Sequence, residues 1–347
     1  MNDFADLRKI IKRAGLLEPR HGAYFRTAGL VVSALVGAWV AFALLGDSWW
    51  QLVVAAVLGL VFTQLGFLGH DAGHQQVLRG SRGSTIIGLL VGNLAIGLGH
   101  GWWNDKHDAH HAHPNHQELD PDVAPGALVF EQGQARHRRG LSRFVTKWQA
   151  VLFLPMLLLE GLSLHLSSLR AVRSRNGKVR WTELSLLVVH VTLYVGAVTW
   201  LLPWGQALAF IAVHQAVFGL YLGLSFAPNH KGMPLLTEAD SHDHLRAQVL
   251  TARNVRPGRV VDAALGGLNY QIEHHLFPSM PRHNLPAAQP LVRAFCESRG
   301  VRYHETGIVR SYAQALSHLH AVGAPLRAQD ARSARRRREP PRLTCRR

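Results

Sequence analysis

Charged residues leave the chain in long, discrete blocks. None occurs from Thr27 to Leu45, from Trp49 to Leu68 or from Trp204 to Phe226, and Trp181 to Leu202 contains only Glu183, near one end. A helix needs about 20 apolar residues to cross the hydrocarbon core of a bilayer. Each block is close to that length. The pattern predicts an all-α integral membrane protein with four transmembrane helices, at about 27–45, 49–68, 181–202 and 204–226. Short turns at Gly46, Asp47 and Ser48 and at Pro203 pair them into two hairpins.

Loop charge sets orientation, because cytoplasmic flanks collect Lys and Arg. Arg8, Lys9, Lys12, Arg13, Arg20 and Arg26 precede the first block, and five basic residues lie between Arg170 and Arg180 before the third. Neither hairpin turn carries a Lys or Arg. Both termini and the central region are therefore expected on the cytosolic face. Trp49, Trp50, Trp181 and Trp204 stand at block ends, where tryptophan anchors a helix to the interface.

Candidate chemistry lies at the ends of these blocks. Histidines recur in three short spacings: His70 and His74; His107, His110 and His111; and His274 and His275, with Gln271 three residues before them. On a helix, residues three or four apart share a face, so each cluster can aim its side chains at one point. His230, at the end of the fourth block, stands alone. Eight or nine nitrogen and amide ligands are too many for one ion and suit two. Imidazole alone does not choose among iron, zinc, copper and nickel.

A shared centre constrains two further apolar stretches. Ser84 to Leu98 is short for a span and contains Asn93; Trp148 to Leu169 contains Pro155, Glu160 and His165. If either crossed the membrane, one histidine cluster would leave the side of the others. Both are read as interfacial or re-entrant helices, which gives four spans beneath a cytosolic helical cap that holds the clusters.

Composition changes this picture little. With 347 residues, 48% hydrophobic and 17% charged, the chain fits a globular or a membrane protein, and the clustering decides. The net charge of +16 is uneven: nine arginines fall in 327–347, read as a basic, disordered tail near anionic lipid. Nucleic acid is not an expected partner of a chain held in a bilayer. The first 26 residues are polar and basic, unlike a cleavable signal. Cys296 and Cys345 supply neither a disulfide framework nor a cysteine metal site.

Around the clusters the sequence becomes specific. Trp102, Trp103, Asn104, Asp105 and Lys106 precede His107, and Pro114, Asn115, Asp120, Pro121 and Asp122 follow it. The third cluster lies in Leu268, Asn269, Tyr270, Gln271, Ile272, Glu273, His274, His275, Leu276, Phe277, Pro278. From His70 to Pro281 the chain resembles the membrane fatty acid desaturase superfamily, di-iron enzymes with three histidine boxes. Gln271 at the first position of the third box is similar to the front-end and acyl-lipid branch. The resemblance implies a desaturase domain over 27–326, between a cytosolic segment 1–26 and the tail 327–347.

The same resemblance implies the chemistry of the site. Two iron ions, ferrous when reduced, are held by His70, His74, His107, His110, His111, His230, Gln271, His274 and His275, and no other residue acts in catalysis. Asp71, Asp105, Asp108, Asp120, Asp122, Asn229 and Glu273 are candidate outer partners, since a ligating His usually donates its far N–H to an acceptor. Family members place an Asn one turn before the lone His; here that position is Phe226, and Asn229 is the substitute. The implied reaction is O2-dependent insertion of a cis double bond into a fatty acyl chain carried by CoA, acyl-carrier protein or a lipid.

Trp102, Trp103 and Tyr270 are expected to line the acyl tunnel. No His-Pro-Gly-Gly haem motif occurs in the chain, and 26 residues before the first span cannot hold a cytochrome b5 domain. The expected electron donor is a separate ferredoxin or cytochrome b5 with its reductase, attracted to a basic face. Two rivals remain. A di-iron lipid hydroxylase or ketolase uses similar boxes. A His-rich metal transporter would carry its ligands near the bilayer midplane, whereas these lie at span ends. Among the other histidines, His113 and His116 are expected in a loop opened by Pro114, and His100 at the interface or beside the site. His190 and His214 are expected to make interhelical hydrogen bonds, and His242, His244, His283 and His304 to be solvated.

Overall fold

The computed structural model describes residues 3–174, 176–240 and 243–338. Four helices are long and apolar enough to cross a membrane: α2 (His21–Leu45), α3 (Gln51–Gly73), α9 (Gly177–Leu201) and α10 (Trp204–His230). They form the two expected hairpins. Each helix extends beyond its apolar block at one end only, α2 and α9 at their N-termini and α3 and α10 at their C-termini, because the block marks the hydrocarbon thickness whereas the hydrogen-bonded helix continues past it.

The outer faces of these helices expose large apolar side chains, among them Leu30, Leu44, Leu193 and Trp200, as lipid contact requires. Their inner faces share a core built on Leu58, Phe62, Leu65, Phe210 and Phe218. α3 and α10 come together at Gly59, where an added Cβ would stand 2.9 Å from the carbonyl oxygen of His214. Small residues permit such backbone approach between membrane helices. Both intramembrane histidines make an interhelical hydrogen bond: Nδ1 of His190 lies 2.9 Å from the Leu94 carbonyl, and Nδ1 of His214 lies 2.8 Å from the Tyr194 hydroxyl, while Nε2 of His214 is buried without a partner.

The two shorter apolar stretches bend instead of crossing straight. α4 (Ser81–Gly88) runs into a π-helical segment (Leu89–Ala95), then meets α5 (His100–Ala112) at 116°. α6 (Gln132–Arg136) is a single turn, and α7 (Gly140–Leu157) meets α8 (Glu160–Val172) at 85°. The first bend is pinned at Gly97, whose carbonyl lies 2.8 Å from Nδ1 of His165.

The cap has its own apolar centre. α1 (Asp3–Arg13), α11 (His244–Leu250), α13 (Gln271–Leu276) and α14 (Leu285–Ser298) bury Leu7, Ile11, Val249, Ile272, Leu276 and Val292 together. Between them, β1 (Asn254–Val255) pairs in parallel with β2 (Glu305–Thr306), and α12 (Arg259–Ala264) leads into the third box. α15 (Ile308–Arg338) packs along α7. The basic segment expected to be disordered from 327 is thus helical as far as Arg338. Asp330 takes ion pairs from Arg143 and Lys147 of α7, which extends the helix past the last apolar contact. Residues 339–347, with Cys345, and His242 lie outside the described residues.

Candidate metal centre

Four helix ends deliver the histidines to one place. His70 ends the last turn of α3, and His74 caps that helix with its N–H on the His70 carbonyl. Gln75 then turns the chain with φ of 57°. α5 presents His107, His110 and His111 on one side and stops at Ala112, before Pro114, as proline disfavours a preceding helical residue. α10 ends at His230. α13 is a buried helix of six residues that carries Gln271, His274 and His275.

The side chains converge in two groups. Ligand atoms of His70, His74, His107 and His274 all lie within 4.8 Å of one another, as do those of His110, His230 and His275. His111 stands between them, with Nε2 3.1 Å from Nε2 of His107 and its ring stacked on His275 at 4.2 Å. Gln271 joins the second group through its amide, 2.9 Å from Nε2 of His230.

Outer contacts decide which nitrogen carries each proton. Nδ1 of His230 lies 3.0 Å from the Thr251 carbonyl, Nδ1 of His275 2.9 Å from Oε1 of Gln248, and Nδ1 of His110 2.9 Å from Asp120. All three partners only accept, so all three Nδ1 atoms donate. The three Nε2 lone pairs then face one another, His230 being 3.0 Å from His275 and 3.4 Å from His110. Without a cation that arrangement is repulsive. Two imidazoles on one ion, each about 2.0–2.1 Å from it, stand roughly 3.0–3.4 Å apart. In the first group, Nδ1 of His70 faces Asp71 at 3.3 Å, and Nε2 atoms of His70, His74 and His274 are buried with no protein partner.

Electrostatics agree with ligation by neutral rings. Burial, reinforced by the neighbouring imidazoles, holds His74, His107, His111, His274 and His275 well below the ordinary histidine range. His110 differs: burial opposes its charge, but the Asp120 hydrogen bond and the Asp122 carboxylate outweigh it and raise its pKa. The donor set and the orphaned lone pairs fit two closely spaced metal ions. A cavity of ≈ 350 Å³ opens beside both groups, lined by His70, His107, His110 and His230 and walled by apolar residues such as Ile96 and Leu222.

The family model described as Fatty acid desaturase matches residues 47–307. The chain belongs to the fatty acid desaturase family. Among characterised relatives, it is 29% identical to an acyl-lipid (9-3)-desaturase of Physcomitrium patens, over 95% of this chain and 64% of that protein. It is 31% identical to a Delta(5) fatty acid desaturase of Caenorhabditis elegans, over 86% of this chain and 69% of the relative. A Delta(8)-fatty-acid desaturase of Helianthus annuus is 28% identical, over 94% and 74%. The chain thus spans about two thirds of the length of these relatives.

Of the expected outer partners, some touch the site and some do not. Asp71 accepts from His70 and is held by Arg282 at 3.0 Å. Asp120 accepts from His110, and Asp122 lies 3.7 Å from the same Nδ1 while paired with Lys106. Asn229 donates to Oε1 of Gln271 at 3.0 Å, with its own Oδ1 buried and unpartnered. Asp105 and Asp108, by contrast, lie on the exposed side of α5. Glu273 faces Asn254 and Tyr303 at 2.7 and 2.8 Å, bracing α13, and burial pushes its carboxyl up to about 7. It neighbours two ligands in sequence, but the helical turn carries it to the other side.

Trp102, Trp103 and Phe226 line the cavity as tunnel residues should. Tyr270 does not: it packs in the cap core and bonds Asp262 at 3.1 Å. His100 is buried beside the cavity, 3.1 Å from Asn104. His113 caps α5, and His116 lies in the loop beyond it. His244 is exposed but packs edge-on against Phe4, while His283 and His304 are half-buried, with ring nitrogens near Thr27 and Gln314. Gln248, Thr251 and Arg282 are outer partners that no motif in the sequence marks. Each reaches the site through tertiary packing, without a spacing that links it to a box.

Proposed function

We propose that the chain catalyses O2-dependent desaturation of a fatty acyl chain, introducing a cis double bond at a histidine-ligated di-iron centre. The observation that carries the reading is the pairing of two convergent sets of imidazole lone pairs with one largely apolar cavity. The relatives' names cover different double-bond positions but one substrate class, the fatty acyl chain. Removal of one hydrogen from each of two adjacent methylenes leaves the double bond. Reduction of O2 to two waters then needs two further electrons and two protons from outside.

Iron, when bound, supplies the O2 activation that no side chain can provide. His70, His74, His107 and His274 would hold one ion, and His110, His230 and His275 the other, with His111 completing either set. Asp71, Asp120, Gln248 and the Thr251 carbonyl hold Nδ1 protons in place, which keeps each Nε2 lone pair pointed inward. Gln271 would join through its oxygen, since rotating the Gln271 and Asn229 amides together would preserve their mutual hydrogen bond and turn Oε1 toward His230. The apolar walls exclude water and set which methylenes lie beside the histidines.

The loop charges support a cytosolic position for the boxes and both termini, where an external ferredoxin or cytochrome b5 with its reductase would deliver electrons. The acyl carrier is CoA, acyl-carrier protein or an intact lipid. The test compares total fatty acids of cells expressing wild type or His274→Ala, with double bonds located by derivatisation. A new unsaturated acid found only with the wild type is the expected result. A new hydroxy acid would move the reading to a lipid hydroxylase. No new product from iron-loaded protein supplied with reductase and ferredoxin would overturn it.

A further inference from the structure

The cavity wall carries four charged side chains besides its histidines: Lys106, Asp122, Glu160 and Lys231. Lys106 is committed, its ammonium 2.5 Å from Asp122. Lys231 is different. It directly follows His230, and its ammonium sits 4.1 Å from the centre of the Phe130 ring. Among the described residues no acceptor lies within hydrogen-bond or ion-pair distance of it, and Asp122, Asp120 and Glu160 attract it only through space. A desolvated ammonium without an acceptor is costly, and a cation–π contact recovers only part of that. The free N–H groups face space that an acyl substrate would occupy.

We propose that Lys231 is the subsite for the acyl carbonyl: its ammonium donates to the ester or thioester oxygen of the substrate. This rests on the acyl-chain reading of the site. The charges choose the head. Two ammoniums and two carboxylates line the cavity, so the lining has no net positive charge to hold a free carboxylate. A neutral carbonyl needs only one donor, and Glu160 repels a bare anion more than a dipole. Because Lys231 adjoins His230, a carbonyl held there fixes the register of the whole chain against the histidine cluster. The apolar residues Phe226, Leu222 and Ile96 then receive the methylenes.

The experiment uses metal-free protein in lipid nanodiscs, so that neither turnover nor iron loading enters. Binding of dibrominated methyl stearate, dibrominated octadecane and dibrominated stearate is read by quenching of tryptophan, since Trp102 and Trp103 line the cavity. The methyl ester is expected to bind about tenfold tighter than the alkane, the scale of one hydrogen bond to a charged group. Stearate should bind no tighter than the ester. Lys231→Met should abolish the ester's advantage and leave alkane binding unchanged, while Lys231→Arg should retain it.

Equal binding of ester and alkane to the wild type would overturn the proposal, as would an undiminished preference in Lys231→Met. Iron-loaded Lys231→Met should also spread the double bond over several positions. Failure of the desaturation reading looks different, with no unsaturated product while the carbonyl preference stands. Failure of this inference alone gives a wild-type product with no carbonyl preference.

Discussion

Nε2 of His230 and Nε2 of His275 stand 3.0 Å apart with both ring protons on the far nitrogens. No protein hydrogen bond can join two lone pairs, so the folded chain holds a repulsion that a cation relieves. Ferrous iron added to metal-free protein should therefore raise its melting temperature. Binding to the native state alone stabilises by about 2.7 kcal/mol at a hundredfold excess over Kd. Differential scanning fluorimetry with and without iron, alongside metal analysis, checks this. The expected stoichiometry is two ions per chain, and an unchanged melting temperature at full loading would count against the assignment.

Gln248 reaches the site from α11, with Oε1 2.9 Å from Nδ1 of His275 and Nε2 2.8 Å from the His111 carbonyl. One amide thus orients a ligand from the third box and anchors the backbone of the second. Gln248→Leu keeps the volume but removes both bonds. Loss of an outer partner typically lowers metal affinity about 10–100-fold. Competition with a chelator should show that loss, with Gln248→Glu, which retains the acceptor, closer to the wild type.

The legible part of the site is the part written in local spacing. His107, His110 and His111 are readable because helical spacing alone puts them on one side of α5. The spans are readable because lipid demands uninterrupted apolar length. Gln248 and Arg282 are not, since each meets its histidine only through the packing of the cap. Proximity in sequence misled in the other direction: Glu273 neighbours His274, yet the backbone turn points it to Tyr303. The sharp bends of the two short apolar stretches leave no mark on the apolar pattern itself.

Acid should destabilise the metal-free protein. His74, His107, His111, His274 and His275 have folded pKa values well below the ordinary 6.5, chiefly through burial. Below that value the unfolded chain binds protons that the folded chain refuses, so stability rises with pH and falls on acidification. Glu273 acts oppositely between 4.5 and about 7, being protonated only when folded. Each group contributes up to about 1.4 kcal/mol per pH unit, so five histidines outweigh one carboxyl. Melting temperature should fall from pH 6.5 to pH 5. A flat profile would mean that the folded rings take up protons freely.

The break between α7 and α8 is fitted against Gly219 of α10. An added Cβ there would lie 2.5 Å from the Gly161 nitrogen and 2.6 Å from the Leu157 carbonyl oxygen. Both are backbone atoms, so no side chain can swing aside, and the bend itself must move. That bend carries Leu157 and Glu160, which line the cavity together with Gly223, one turn further along α10. Gly219→Ala should therefore cost about 1–3 kcal/mol by overpacking, visible as a lower melting temperature. Because the α7–α8 bend carries no histidine of the boxes and His230 lies three turns further along α10, iron content should hold while substrate binding weakens. If iron were lost in step with stability, the bend would be supporting the metal centre as a whole, and cavity wall and ligand frame would be one unit instead of two.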